Sequence, residues 1–189
     1  TDLSPEHRTW ILDEIKTVES EIKRIKAAML DDYTVKKRTK GVGVLTREQA
    51  LELGAAGPTL RGSNVPQDMR QLKYAAFDEI DFEPVFETDG DCWSRSAVRF
   101  NETLQSVQLV RQALGRLPDG ELAVKVKGYP EGEIISRVEQ PRGECLYYIK
   151  GSGKKNLERV RIRTPTFANL PPLAAMLPGI ELADVPVIV

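Results

Sequence analysis

The stretch SPEHRTWILDEIKTVESEIKRIKAAML, residues 4–30, decides the fold class. Within it Ile11, Ile15, Val18, Ile22, Ile25 and Met29 recur at spacings of 4, 3, 4, 3 and 4. That rhythm draws one apolar seam along a helix. Ser4-Pro5 supplies an N-cap and a first-turn proline, so the helix is predicted from about Pro5 to Leu30. The seam is short for a self-sufficient coiled coil, so it is assigned to packing in a helical bundle.

Outward from this helix the chain changes character several times. Asp31 to Lys40, with Lys36-Lys37-Arg38, reads as a solvated basic connector, and Gly41-Val-Gly-Val44 as a tight turn. Thr46-Arg-Glu-Gln49 is a capping box that opens a short helix ending at Gly54. From Gly57 to Asp91 proline, glycine and acidic residues predict mostly irregular backbone, and so long a loop in a compact domain suggests a site or a subunit contact. Asp91 caps a second long helix to about Leu117. Its apolar stripe is Trp93, Ala97, Phe100, Leu104, Val107 and Leu114, while Arg95, Arg99, Glu102 and Ser106 fall on another face. Such a face is either solvated or a buried charged contact.

After Pro118-Asp-Gly120 the pattern turns to short β-prone runs at Leu122–Val126, Glu133–Val138, Leu146–Lys150 and Val160–Ile162. Gly151-Ser-Gly-Lys-Lys155 reads as a hairpin turn; a phosphate-binding loop would need glycine where Tyr148 stands and Ser or Thr where Lys155 stands. The tail predicts a short helix near Leu170–Leu177 and a strand-like end at Val185–Val189. The fold class is therefore mainly α with a small antiparallel β element, an α+β chain in one domain. Residues 1–56 are helical, 57–90 an irregular loop, 91–117 a long helix, and 118–189 a β-hairpin element with a Pro-rich tail.

Composition narrows the function. The 189 residues are 41% hydrophobic and 29% charged, ordinary globular values. With 27 Lys and Arg against 28 Asp and Glu there is no global positive field for a polyanion, so nucleic acid is not an expected partner. The longest charge-free stretch, Pro165–Ile180, is 16 residues and carries four prolines, so no membrane span is predicted. The chain opens without Met and ends on Val187-Ile188-Val189, and is read as an internal fragment of a longer protein in a reducing, cytoplasmic compartment.

Chemistry-bearing residues are sparse. His7 is the single histidine, and Cys92 and Cys145 stand 53 positions apart, so no Cys-x-x-Cys, paired-His box or catalytic triad is present. The fragment is expected to hold no transition metal alone. The paired acids Asp31-Asp32, Asp78/Glu79/Asp81 and Asp89/Asp91 have no specificity without a geometry that separates their pKa values. Glu139-Gln-Pro-Arg-Gly-Glu144 is a charged turn before a strand, with Arg142 held between Pro and Gly and expected to form a salt bridge.

Seven strings occur in order: Gly57-Pro-Thr-Leu-Arg-Gly-Ser-Asn-Val-Pro-Gln-Asp-Met-Arg70, Tyr74-Ala-Ala-Phe77, Gly90-Asp-Cys-Trp-Ser-Arg95 with Val98-Arg99, Gln105-Ser106, Val138-Glu-Gln-Pro-Arg-Gly-Glu144, Arg161-Ile-Arg-Thr-Pro-Thr-Phe-Ala-Asn-Leu170 and Leu182-Ala-Asp184. Together they resemble the catalytic subunit shared by complex I (NADH:quinone oxidoreductase), where it is the quinone-binding D subunit, and the energy-converting membrane-bound nickel-iron hydrogenases. The resemblance implies a fragment of the nickel-iron hydrogenase large-subunit-like fold. It further implies an iron-sulfur small subunit and membrane subunits as partners, on the cytoplasmic face of an ion-translocating complex. In the hydrogenases two Cys-x-x-Cys pairs, one near each terminus, hold the nickel-iron centre, and this chain has neither. In complex I the quinone-contacting His and Tyr lie in the N-terminal part, so neither a metal nor a quinone ligand is carried over.

What carries over is Arg61, Asp91, Arg95, Arg99, Glu139 and Arg142, as supports around the buried site and its interface, none of them catalytic. For Arg95 and Arg99 this implies buried ion pairs that order the site. Arg163-Thr-Pro-Thr-Phe-Ala-Asn169 and Tyr74-Ala-Ala look more like the hydrogenases, Arg61-Gly-Ser and Gly90-Asp-Cys-Trp more like complex I, and the hydrogenase type is favoured. A third reading is a metal-free structural module of such a complex. The fragment alone is expected to be redox-inactive.

Overall fold

Local signals and long-range packing agree along the first helix. A computed structural model of the chain describes residues 3–118, 120–121 and 123–188. Helix α1 spans Pro5–Leu30, and the Ser4 hydroxyl accepts the His7 N–H at 3.2 Å, closing the first turn. Its neighbour is the long helix α5, Cys92–Gly115, capped by Asp91, whose Oδ1 accepts from the Ser94 N–H at 2.8 Å. The two run antiparallel. Glu19 of α1 meets Arg111 at 2.5 Å, Lys26 meets Asn101 at 2.6 Å, and the Leu30 carbonyl accepts from the Trp93 indole at 3.2 Å. Lys40 lies 4.6 Å over the Trp93 ring, a cation–π contact that seals the same end. Ile11, Ile15 and Ile22 are half-buried, while Val18, Ile25 and Met29 stay exposed, so the seam is covered along one flank.

The basic connector is a helix, not a loop: α2 spans Tyr33–Thr39. Asp32 Oδ1 accepts from the Val35 N–H at 2.9 Å, and Arg38 reaches Asp184 at 2.7 Å. Local capping plus a contact from 146 residues away outweighs the polar composition. The capping box at Thr46 and Gln49 is present and starts α3, Arg47–Glu52.

The segment read as irregular contains most of the longest unbroken run of buried positions among the described residues, 55–63. It holds a one-turn helix α4, Pro58–Arg61, and a 3₁₀ turn at Met69–Leu72. The core gathers Leu45, Ala50, Ala55, Leu60, Val65 and Cys92 with Met176 and Ile188 from the tail. The tail is held there by Asn169, whose side chain accepts from the Ala56 N–H at 2.8 Å and donates to the Ala56 carbonyl at 3.1 Å. It forms α6, Pro165–Ala168, and α7, Leu170–Met176. Its end is a short helix α8, Val185–Ile188, where a strand was expected. Pro186 cannot donate to a ladder, and Ile188 is buried in the core instead.

Three strands form an antiparallel sheet in the order β1-β2-β3: β1 is Glu131–Gln140, β2 Gly143–Ser152 and β3 Arg159–Arg163. The run expected at Leu122–Val126 forms no strand over 123–126, and Leu122 lies outside the described residues. Pro141 and Arg142 make the β1–β2 turn, which lies backbone to backbone against Gly57. A Cβ on Gly143 would stand 2.5 Å from the Gly57 nitrogen, so both positions need glycine.

Candidate functional site

Arg61 is where the segments meet. Gly57, at φ 64°, and Pro58 set up the single turn of α4 that ends at Arg61, and the side chain is only 1% exposed. Its Nε donates to Glu102 Oε1 on α5 at 2.5 Å. Its Nη1 donates to Glu139 Oε1 at the end of β1 at 2.9 Å and to the Gln67 carbonyl at 3.0 Å, and lies 3.1 Å from Asp68 Oδ2. One guanidinium thus joins a helix, a strand and a turn.

Two of the three carboxylates have further partners. Asp68 caps the 3₁₀ turn and takes Arg70 in a bidentate pair at 2.9 and 2.7 Å. Arg70 also stacks 4.3 Å from the Phe82 ring. Glu139 Oε2 accepts from the Met69 N–H at 3.0 Å, and the Glu139 N–H donates to the Tyr74 hydroxyl at 2.9 Å.

Burial and charge divide the titrating groups. Burial lowers the pKa of Arg61, but Glu102, Glu139 and Asp68 outweigh it and hold it above the usual arginine value. Burial raises Asp68 while its bonds to Arg70 and the Arg61 charge outweigh that, leaving it below the ordinary aspartate range. Glu102 and Glu139 go the other way, pushed up by burial against the opposing pull of Arg61. The cluster therefore contains one firmly ionised carboxylate and two that take a proton more readily than a free glutamate.

The other predicted residues fall into two groups. Arg95 is 2% exposed and donates to the Gly90 carbonyl at 2.8 Å, the Gly43 carbonyl at 3.0 Å and Cys92 Sγ at 3.1 Å. It binds carbonyls, not a carboxylate, and the ion pair expected of it is absent among the described residues. Burial lowers its pKa and raises that of the Cys92 thiol. Asp91 joins the same nest, its Oδ2 accepting from the Gly41 N–H at 2.9 Å.

Arg99 and Arg142 are exposed, and neither makes an ion pair among the described residues. The salt bridge expected of Arg142 is absent because its turn projects the side chain outward while its backbone is held against Gly57. Surrounding protein and the neighbouring Arg95 lower the pKa of Arg99 although one side of it meets water. Both arginines line a groove of about 670 Å³ with Glu102, Glu139, Tyr74 and Phe77. The structure thus brings Glu139, Arg99 and Arg142 to one groove, keeps Arg61 buried and bonded to the groove residues Glu102 and Glu139, and sets Arg95 and Asp91 in a separate nest.

Asp68, Arg70, Tyr74 and Glu102 complete the site without being marked as site residues by the sequence. Asp68 carried a signal in its spacing to Gln71, which forms a capping box. The partner of Glu102 carried none, because Arg61 is 41 positions away. Among the described residues no three metal-ligating side chains cluster to hold an ion, and no helix is long and apolar enough to cross a membrane.

A family model described as respiratory-chain NADH dehydrogenase, 49 Kd subunit, matches residues 1–129 and 125–189. The carbon monoxide-induced hydrogenase of Rhodospirillum rubrum is 37% identical over 191 residues, covering 100% of this chain and 53% of the relative. The alpha subunit of the membrane-bound hydrogenase of Pyrococcus furiosus is 35% identical, covering 97% of this chain and 47% of the relative. The D subunit of the NADH-quinone oxidoreductase of Dehalococcoides mccartyi is 42% identical over 78% of this chain and 41% of its own length. The chain thus spans about half the length of the curated relatives it matches.

Proposed function

Because the chain belongs to the family of the 49 Kd subunit of respiratory-chain NADH dehydrogenase, we propose that it is part of the catalytic subunit of a membrane-associated, ion-translocating oxidoreductase complex of the energy-converting nickel-iron hydrogenase type. Electrons pass in this reading through an adjacent iron-sulfur subunit, and the chain sits peripherally on the cytoplasmic side. The observation that carries it is similarity across 100% and 97% of the chain to two proteins named as hydrogenases. The second reading, a quinone-reducing D subunit of the complex I type, is supported by the higher identity of 42% over a shorter stretch.

A nickel-iron centre does not fit these residues by themselves. Cys92 lies at the start of α5 and Cys145 in β2, both buried, and no ligand cluster forms among the described residues. In this reading the metal ligands come from the rest of a longer subunit. The contribution of the chain is positional: Arg61 ties α4, α5 and β1 into one charged array, and Glu102 and Glu139 each hold a proton more readily than in water at the edge of the groove.

The test is elemental analysis of the complex purified anaerobically with its whole catalytic subunit, alongside hydrogen-dependent dye reduction and quinone reduction. Stoichiometric nickel with hydrogen-dependent activity is expected. Quinone reduction without nickel replaces the first reading by the second, and neither activity in an intact complex leaves a structural module.

A further inference from the structure

The last strand of the sheet is paired along one edge and exposed on both of its faces. Strand β3 pairs with β2 through Leu146↔Arg163, Tyr147↔Ile162, Tyr148↔Arg161, Ile149↔Val160 and Lys150↔Arg159, and it is a sheet edge. Side chains alternate between faces along a strand, so the register sorts the residues. One face carries the rows Ile134–Ile149–Val160 and Ser136–Tyr147–Ile162, and the other carries Glu133–Lys150–Arg159 and Ile135–Tyr148–Arg161. Residues 159 to 162 are all exposed, with Ile134 62%, Val160 46% and Ile162 55% open to water. An ordinary edge strand buries one of its faces, and this one buries neither.

Charge is unbalanced on the second face. Lys150 is matched by Glu158 at 2.7 Å and Arg163 by Glu144 at 3.0 Å, but Arg159 and Arg161 make no ion pair among the described residues. Arginines on an edge deter random pairing, yet the two exposed β-branched residues beside them work against that role. An incoming strand that alternates carboxylate and apolar side chains satisfies both faces and the unpaired backbone groups at once.

We propose that β3 is the docking edge for an extended segment of a partner subunit, which adds as a fourth strand with its apolar side chains continuing the Val160/Ile162 face and its carboxylates meeting Arg159 and Arg161. This rests on the reading of the chain as a subunit of a multi-subunit complex. The commitment to a partner follows from charge complementarity: the arginine face calls for a run of acids, and the acids of the sheet nearest to it are already engaged.

Hydrogen exchange on the purified complex tests it. Every second amide of β3, those turned away from β2, is expected to exchange about tenfold or more slower than a free amide. In the double variant Arg159→Glu/Arg161→Glu these amides speed up while those of β1 and β2 keep their protection, which shows that the sheet remains folded. Carbodiimide treatment of complex carrying Arg161→Lys is expected to link that position to an acidic residue of a partner subunit in a segment of alternating acidic and apolar residues. Free exchange of the outward β3 amides within an intact complex, protection unmoved by the charge reversal, or a link to a second copy of this chain overturns the proposal and leaves the functional reading standing. Recovery of the catalytic subunit without partners overturns the functional reading and this inference with it.

Discussion

Two buried arginines, Arg61 and Arg95, are 1% and 2% exposed and solve the same problem in opposite ways. Around Arg61 the compensation is charge: three carboxylates from three segments, and a pKa held above the usual value. Around Arg95 it is backbone: two carbonyls and a thiol, and a pKa lowered by burial. The first arrangement depends on side chains that sequence change can delete. The second depends on loop shape, since Gly43 and Gly90 supply the carbonyls and both sit at positive φ. The Arg61 knot is therefore brittle to charge loss, and the Arg95 nest to any added side chain.

The largest effect is expected at Arg61→Met, which leaves Asp68, Glu102 and Glu139 without their shared counter-charge and costs about 3–5 kcal/mol in urea unfolding. Gly90→Ala comes next at about 2–4 kcal/mol, because φ is 69° and a Cβ would press on the Leu45 backbone. Arg95→Met is expected to cost less, about 1–3 kcal/mol, since the Gly90 carbonyl keeps the Leu45 N–H at 2.9 Å and only the Gly43 carbonyl is stranded. A larger loss at Arg95→Met than at Arg61→Met breaks the contrast between the two regions.

Acidity sharpens it. The folded-state pKa of Asp68 is lowered, so its contribution is complete above the ordinary aspartate range and is lost as pH falls through the folded value. The values of Glu102 and Glu139 are raised, so theirs is present below the ordinary glutamate range and is lost as pH rises through the folded values. The stability gap between the natural chain and Asp68→Asn is expected to narrow on acidification, and that for Glu139→Gln to narrow on going toward neutral pH. Parallel movement of the two gaps in unfolding curves across that range contradicts the assignment. The smallest effect is expected at Arg142→Ala: the side chain is exposed and makes no ion pair among the described residues, so unfolding moves by no more than about 0.5 kcal/mol.

The features legible in the sequence are those that short-range chemistry writes. The seam and Ser4 cap of α1, the capping box of α3, the Asp91 cap of α5 and the alternation of β1 and β2 are each complete within a few residues. The connector at α2 reads as a loop because its composition is polar while its cap, Asp32, and its tie, Asp184, are one local and one remote. The end at Val185–Ile188 misleads because β-branched residues read as strand until the core claims Ile188. The site is half legible. Arg61 and Glu139 stand out in their strings, but that they bond to each other depends on a separation of 78 positions. Glu102 looks like the i+3 partner of Arg99, and the buried Arg61 takes it instead because a desolvated guanidinium holds a carboxylate more strongly than an exposed one.

The placement of the two tryptophans makes the helix pair optically addressable. Trp10 is 61% exposed near the start of α1, whereas Trp93 is half-buried at the far end of the pair, bonded to the Leu30 carbonyl and covered by Lys40. A soluble quencher reaches the first and is hindered from the second, so a Trp10→Phe variant leaves one emission that reports whether the C-terminal end of α1 is seated on α5. Undocking of α1 then becomes a change in colour and quenching of a single native chromophore within these 189 residues, readable on them without any label.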